Sequence, residues 1–124
     1  MRIEVKGRNL TVSDELHEQV VRRFARVDKQ VSELAVLEVE LTVERNPSNP
    51  DSHVAEATLY LKGVTLRAEN ASRDIRHAIN LVADELARQV KRHRDKRRKR
   101  RESRAAAAAP PPAPEGPGES VPAI

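Results

Sequence analysis

The residues best suited to chemistry in this chain are cations. The segment KRHRDKRRKRR, from Lys91 to Arg101, carries nine Lys or Arg side chains in eleven residues. Cations at this density neutralise phosphates, and each neutralised phosphate of a nucleic acid releases condensed counterions. A helix on a membrane surface needs a hydrophobic face, and this segment holds no large apolar side chain. The pattern favours nucleic acid over an anionic membrane, and a solvated, solubilising helix end is the remaining alternative.

This basicity is confined to one part of the chain. Residues 1–90 carry 13 Lys and Arg against 15 Asp and Glu, whereas residues 91–104 carry 10 against 2. Residues 105–124 carry no Lys or Arg and two Glu. The net charge of +4 and the sequence pI of about 9.8 therefore describe the middle segment rather than the domain before it.

Groups that could hold a metal or carry catalysis are scattered. There is no cysteine, and the four histidines, at positions 17, 53, 77 and 93, have no partner at ligand spacing. No nucleophile motif or phosphate-binding glycine loop is present, and Asp74 and Asp84 lie ten residues apart. With Phe24 and Tyr60 as its aromatic residues, the chain is not expected to stack bases on aromatic side chains. We therefore expect no enzyme, metal, cofactor or small-molecule substrate.

The start of the chain carries no sign of export. Met1 is followed by alternating charged residues, without an apolar run long enough for a signal peptide or a spanning helix. The absence of cysteine fits a reducing compartment. We expect a cytoplasmic protein that does not enter a membrane.

Hydrophobic periodicity predicts four strands and two helices. Alternating apolar residues place the strands at 2–6, 37–45, 53–61 and 64–69. Lys62–Gly63 predicts a tight hairpin between the last two, and NPSNPD, residues 46–51, predicts a loop. The order β-α-β-β-β-α predicts an α+β fold, in which both helices pack on one face of a four-stranded sheet.

Each predicted helix carries one apolar stripe. The first helix, from about Asp14 to Gln30 with Ser13 as N-cap, has its stripe at Leu16, Val20, Phe24, Val27 and Val31. The second, with Ser72 as a possible N-cap, has its stripe at Ile75, Ala78, Ile79, Val82, Leu86 and Val90. Because the stripe ends at Val90 while helix-favouring residues continue, the helix is expected to leave the domain surface there. We predict a domain at 1–95, a basic helix extension at 96–104 and a disordered Ala- and Pro-rich tail or linker at 105–124.

Seven cations on the sides of the two helices away from these stripes are the candidate RNA-binding residues. They are Arg22, Arg26, Lys29, Arg73, Arg88, Lys91 and Arg92. Asp84 and Asp95 interrupt the basic side of the second helix, so an ordinary solvated face stays an alternative. The strand at 37–45 presents glutamates, which would repel phosphate, so the helices are favoured as the binding side.

Two segments of the chain resemble a known family. They are IEVKGRNLTVSDELHEQVVRRFARVDK, residues 3–29, and LRAENASRDIRHAINLVADELARQVKRHRDK, residues 66–96. Together they are similar to the N-terminal domain of ribosome hibernation-promoting factors, also called ribosome-associated inhibitor proteins, over about residues 1–97. The shared features are Gly7–Arg8–Asn9, LRAE at 66–69, Asp74 and DELARQVKR at 84–92.

The resemblance implies a domain laid out like double-stranded RNA-binding domains. It would occupy the small-subunit channel for mRNA and the A- and P-site tRNAs, with the 30S subunit, the 70S ribosome and 16S rRNA as partners. Occupancy by a stable plug would inhibit translation and keep idle ribosomes inactive, as in stationary phase and stress, without covalent chemistry. The alternatives are a general double-stranded RNA-binding module and a protein-interaction or membrane-surface adaptor.

The chain departs from the family pattern at two places. It has Arg76–His77 where the family often has an aromatic residue after the Asp of the second helix, which could replace a packing contact with an ionic one. Long members continue past a linker into a second domain that pairs two ribosomes, whereas this sequence ends within a segment resembling that linker. We interpret the chain as a short form or a truncated long form, and we do not expect it to pair ribosomes through such a domain.

Overall fold

Four strands form one mixed sheet in the computed structural model, which describes residues 1–44, 48 and 50–108. The strands are β1 (Arg2–Arg8), β2 (Val36–Val43), β3 (His53–Leu61) and β4 (Val64–Ser72), side by side in that order. β1 runs parallel to β2, and the other two pairs are antiparallel. The predicted strands and hairpin are confirmed, and Gly63 at the hairpin turn has a φ of 80°, which glycine adopts without strain.

The first predicted helix is divided in two at Phe24. Helix α1 spans Asp14–Arg23 and α2 spans Ala25–Asp28, with Phe24 between them at φ −92° and ψ 7°. The Phe24 ring is fully buried, so packing of the ring overrides the helical propensity that predicted one continuous helix. The predicted N-cap is confirmed, because the Ser13 hydroxyl accepts a hydrogen bond from the Leu16 amide at 3.2 Å.

Helix α3 spans Ile75–Ala108 and begins with a different cap from the predicted one. Ser72 belongs to β4, where it pairs with His53. Asp74 takes the capping role, since its Oδ1 accepts from the Arg76 amide at 3.1 Å and its carbonyl accepts from the Ala78 amide at 3.0 Å. Ser72 as N-cap was therefore wrong, because strand pairing extends further than the alternation of the sequence indicated.

The chain divides into two compact units, Met1–Lys91 and a second that begins at Arg92. In the second unit the helix runs to Ala108, four residues into the predicted tail. Alanine has the highest helix propensity, which accounts for the helical state of residues 105–108. The rest of the predicted tail, 109–124, and residues 46, 47 and 49 of the predicted loop lie outside the described residues. The domain boundary at 95 stays a prediction.

The core of Met1–Lys91 lies between the sheet and the apolar stripes of its helices. The helices contribute Leu16, Val20, Phe24, Val27, Ala78, Ile79, Val82, Leu86 and Val90, and the strands contribute Leu37, Val39, Leu41, Ala55, Ala57 and Leu59. All of these side chains are buried in one cluster. Both helices therefore pack on the same sheet face, which confirms the predicted fold class.

A buried polar contact ties α1 to the first turns of α3. The Gln19 amide nitrogen donates to the Arg76 carbonyl at 3.0 Å and to Asn80 Oδ1 at 3.1 Å. Arg76 in turn lies 3.4 Å from the Glu15 carboxylate. Arg76, which replaces an aromatic residue frequent in the family, thus makes an ionic contact between α3 and α1. The sequence indicated that such an exchange was possible.

Steric crowding in the Gly7–Arg8–Asn9 turn explains why position 7 is a glycine. A Cβ at this position would lie 2.1 Å from the Leu10 carbonyl oxygen, which is backbone and cannot give way cheaply. Asn9 has a φ of 59°, a left-handed conformation that asparagine tolerates better than most residues. Two of the residues that carried the family resemblance therefore shape the turn out of β1.

The core position of Phe24 predicts a large loss of stability on truncation. Phe24→Ala should lower the free energy of unfolding by about 3 to 5 kcal/mol, since it leaves a cavity under both helices. Val21→Ala, at a side chain that is 43% exposed, is the matched control and should change it by less than about 0.5 kcal/mol. Urea unfolding followed by circular dichroism measures both, and equal losses would contradict the described core.

Candidate nucleic-acid interface

Three of the predicted cations meet in a surface cleft between α2 and α3, the α2–α3 cleft. Arg26 comes from α2, Gln30 follows that helix, and Ala87, Arg88 and Lys91 come from α3. Below them the buried Val27, Leu86 and Val90 hold the two segments on the common core. The cleft therefore depends on the same apolar stripes that define the fold.

Two carboxylates moderate the repulsion between the cations of this cleft. Arg26 Nη2 lies 3.5 Å from Asp84 Oδ1, and both side chains are more than half exposed. Arg88 Nη2 donates to Glu85 Oε1 at 2.7 Å, one turn earlier on α3. The exposed Arg26–Asp84 pair contributes about 0 to 1 kcal/mol, so a phosphate can replace Asp84 without a large loss of stability.

Arg88 is anchored further through Glu85 and Gln89. The Gln89 amide nitrogen donates to Glu85 Oε2 at 3.2 Å and to the Arg67 carbonyl of β4 at 2.9 Å. The guanidinium group that lines the cleft is thereby connected to the sheet backbone. A cation positioned in this way loses less side-chain entropy when it binds an anion than a freely rotating one.

The size of the α2–α3 cleft limits what it can accept. Its volume is about 160 Å³, below the roughly 300 to 1,000 Å³ of pockets that enclose a drug-sized ligand. Three cations around so small a space suit a single phosphate and the atoms attached to it. The geometry fits contact with part of a polymer backbone better than capture of a free metabolite.

The other predicted cations are not brought to this cleft. Arg22 lines a separate, mainly apolar cleft of about 430 Å³ along α1, with His17, Glu18, Val21 and Ala25. Lys29 is exposed at the C-terminal cap of α2. Arg73 is exposed before α3 and precedes Arg88 by fifteen residues, about 20 Å along a helix. Arg92 is exposed and begins the second unit.

Gln30 is the residue of this cleft that sequence reasoning missed. It is half-buried, and its side-chain oxygen Oε1 is buried without a hydrogen-bond partner among the described residues. Its amide nitrogen in the backbone donates to the Val27 carbonyl at 2.9 Å, which fixes the residue just beyond α2. A glutamine near a predicted helix end matches no binding motif in the sequence. Its place in the cleft follows only from the packing of α3 beside it.

The second unit presents the basic run as a helix. Between Arg92 and Arg104 it carries nine Lys or Arg and two acidic residues, and most of these side chains are exposed. Burial, followed by the charges of Arg97, Arg100 and Lys96, lowers the pKa of His93. His93 is therefore neutral at physiological pH, and the charge of this helix comes from its Lys and Arg side chains.

The sheet face opposite the helices is of mixed charge with a row of glutamates. Strand pairing sets Lys6, Glu40, Glu56 and Glu69 next to one another across the four strands. Arg8 lies 3.6 Å from Glu40, and Arg67 lies 3.9 Å from Glu56. The Tyr60 hydroxyl donates to Glu38 at 3.1 Å, and this hydrogen bond raises the pKa of Tyr60. The predicted acidic side of β2 therefore faces away from the helices.

The described part of the chain offers few other kinds of site. Within residues 1–44, 48 and 50–108, no three His, Asp or Glu side chains are grouped so that they could hold a metal ion. In the same residues, no helix combines the length and the apolar character needed to cross a bilayer. The features that remain to be explained are the α2–α3 cleft, the apolar cleft along α1 and the basic helix.

Comparisons with known sequences match nearly the whole described chain. A sequence profile of the family described as Sigma 54 modulation protein / S30EA ribosomal protein matches residues 3–98. The ribosome hibernation promoting factor of Salmonella typhimurium is 31% identical over 96 residues, which cover 77% of this chain and 96% of that protein. The ribosome hibernation promotion factor of a Picosynechococcus species is 31% identical over 97 residues, 77% of this chain and 50% of that protein. The chain thus spans about half the length of the Picosynechococcus relative.

Solved structures share the same architecture. The N-terminal domain of Thermus thermophilus Protein Y superposes with a TM-score of 0.65 at 29% identity, covering 75% of this chain and 99% of that one. A ribosomal subunit interface protein from Coxiella burnetii superposes with a TM-score of 0.64 at 19% identity over 77% of this chain, and that likeness concerns the fold alone. From the matched residues, the relatives and the shared fold, the chain belongs to the Sigma 54 modulation protein / S30EA ribosomal protein family, the family of the ribosome hibernation promoting factors.

Proposed function

We propose that this protein binds idle ribosomes and inhibits translation by occupying the mRNA and tRNA channel of the small subunit. In this proposal the cations of α2 and α3 contact 16S rRNA, and the complex forms on 30S subunits and 70S ribosomes in the cytoplasm. The observation that carries it is the meeting of Arg26, Arg88 and Lys91 in one cleft of a chain from this family. Inhibition needs only stable occupancy, so it requires no covalent step.

The charges of the two faces favour the helices as the side that contacts RNA. The α2–α3 cleft holds three cations, and the pair between Arg26 and Asp84 is exposed and therefore weak. The open sheet face places Glu40 and Glu56 directly opposite each other, and Glu56 opposite Glu69. A phosphate approaching that face would meet neighbouring negative charges, whereas one approaching the cleft meets converging positive charges.

The names of the relatives support the ribosome as the partner. The Salmonella and Escherichia coli K12 proteins are named ribosome hibernation promoting factors, and the matched segments cover 96% of each. Each alignment spans 96 residues, at 31% and 30% identity, and the family profile matches residues 3–98, so the likeness is not confined to a single motif. Carrying the role from these proteins to this chain is part of the proposal.

The remaining predicted cations would contact rRNA phosphates in two ways. Arg22, Lys29 and Arg73 would contact rRNA outside the α2–α3 cleft, each neutralising a phosphate without reading sequence. Arg92 and the basic helix that follows it would add non-specific phosphate affinity. Contacts of this second kind weaken steeply as salt is raised.

Co-sedimentation with purified ribosomes tests the proposal and the cleft together. The wild-type chain should migrate with 30S and 70S particles at moderate salt. Replacing Arg26, Arg88 and Lys91 by Ala should weaken binding and reduce the magnitude of the salt slope by about three, near one per lost phosphate contact. The matched control replaces Lys6, Arg8 and Arg67 on the open sheet face, with the same change of charge and little effect expected.

Two outcomes would contradict the proposal in different ways. Failure of the wild-type chain to migrate with either particle would remove the ribosome as its partner. Equal loss of binding in the two triple variants would show that net charge, rather than the α2–α3 cleft, determines binding. A plain RNA duplex that competes as well as ribosomes do would indicate a general double-stranded RNA-binding module.

The pair between Arg26 and Asp84 predicts a variant that binds more tightly. Asp84→Asn removes the carboxylate that competes with phosphate for Arg26, so affinity for 30S subunits should rise several-fold at low salt, and the gain should shrink as salt screens the charges. Glu69→Gln, an equal change of charge on the open sheet face, is the control and should alter affinity little. Binding isotherms at several salt concentrations measure both, and weaker binding of Asp84→Asn would make that carboxylate a positioning group for Arg26.

The basic helix predicts an effect on affinity without an effect on the fold. A chain that ends at Arg92 keeps the whole buried core, whose last apolar position on α3 is Val90, so its urea unfolding midpoint should stay unchanged. Its affinity for ribosomes should fall, and the salt slope should flatten by up to about one for each Lys or Arg that contacted phosphate. Unchanged affinity and slope would show that the basic helix takes no part in binding.

A further inference from the structure

The α2–α3 cleft contains one group that a phosphate does not explain. Arg26, Arg88 and Lys91 are donors and carry positive charge, so phosphate oxygens satisfy them. Gln30 lines the same cleft, and its side-chain acceptor Oε1 is buried without a hydrogen-bond partner among the described residues. Phosphate oxygens are acceptors as well and cannot supply the missing hydrogen. A ligand with a hydroxyl or amino hydrogen close to its phosphate would pair with both kinds of group.

Gln30 can present this oxygen to a ligand without disturbing the backbone. The Gln30 amide nitrogen of the backbone is held by the Val27 carbonyl at 2.9 Å, so the main chain stays in place while the side chain turns. The last torsion of a glutamine is broad rather than confined to one narrow rotamer. Since Oε1 gives up no hydrogen bond within the described residues when it turns, the movement into the cleft is favoured once a donor is present.

We propose that the α2–α3 cleft recognises a ribonucleotide unit, with Gln30 Oε1 accepting a hydrogen bond from the ribose 2′-hydroxyl and the three cations holding the adjoining phosphate. This inference rests on the proposed function and specifies the chemistry of that same site. It makes Gln30 a residue that distinguishes RNA from DNA, because the 2′-hydroxyl is the donor that DNA lacks.

The ribose hydroxyl fits the cleft better than an amino group on a base. Every ribonucleotide carries its 2′-hydroxyl at a short and constant distance from the phosphate, whatever the sequence. The cleft of about 160 Å³ is below the roughly 300 Å³ at which pockets begin to enclose whole drug-sized ligands. Ala87 contributes only a methyl group, and no aromatic side chain lines the space on which a base could stack. Contact with the sugar and phosphate is therefore the better match.

Binding to two matched RNA duplexes tests this inference directly. One duplex carries ordinary ribose and the other 2′-fluoro ribose, which retains the duplex form but removes the hydroxyl donor. At low salt the full wild-type chain should bind the hydroxyl duplex about three- to tenfold more tightly, which corresponds to the net contribution of one hydrogen bond. Gln30→Met keeps a similar shape without the amide and should bind both duplexes equally. Arg88→Ala should weaken binding to both and preserve their ratio.

Several results would overturn the inference. Equal affinity of the wild-type chain for the two duplexes would exclude the hydroxyl contact and would be expected if a base amino group were the donor. A preference for hydroxyl that persists in Gln30→Met would assign the contact to another residue. Absence of binding to either duplex at low salt would also contradict the inference. The wild-type comparison remains decisive even if Gln30→Met fails to fold, and loss of ribosome co-sedimentation, measured separately, concerns the proposed function alone.

Discussion

The structure depends on buried apolar side chains that hold three cations of like charge close together at the surface. Arg26, Arg88 and Lys91 repel one another, yet the segments that carry them are packed side by side through the buried Val27, Leu86 and Val90. Burial of a side chain of this size contributes about 1.5 to 3 kcal/mol, whereas repulsion between exposed charges is smaller and is screened by salt. Hydrophobic packing therefore holds the three cations close together in spite of their repulsion.

Two carboxylates near the α2–α3 cleft offset part of its positive charge. Asp84 and Glu85 neutralise part of the charge in the free protein, and the exposed pair between Asp84 and Arg26 is one that phosphate can replace. Glu85 also connects Arg88 through Gln89 to the backbone of β4. The acidic residues that interrupt the basic side of α3 therefore form ion pairs with its cations and those of α2.

Periodicity was sufficient to predict the architecture but not the site. The four strands, the two apolar stripes and the hairpin follow from local alternation, which the pleat of a strand and the turn of a helix impose on the sequence. The break at Phe24 and the cap at Asp74 arise from tertiary packing and strand pairing, which local patterns do not contain. Gln30 shows the same limit at the site, because its neighbours Ala87 and Lys91 lie far away in the sequence. The seven cations were correctly placed outside the core, whereas their grouping required the relative position of α2 and α3.

The most direct measurement is a cryo-electron microscopy reconstruction of the protein bound to the ribosome. The proposed function predicts the domain in the mRNA and tRNA channel of the small subunit. The arrangement of charge predicts Arg26, Arg88 and Lys91 within hydrogen-bonding distance of 16S rRNA phosphates, and the open face of β2 and β3 turned away from them. A reconstruction with the sheet face against rRNA, or with the domain bound outside the channel, would contradict the central claim.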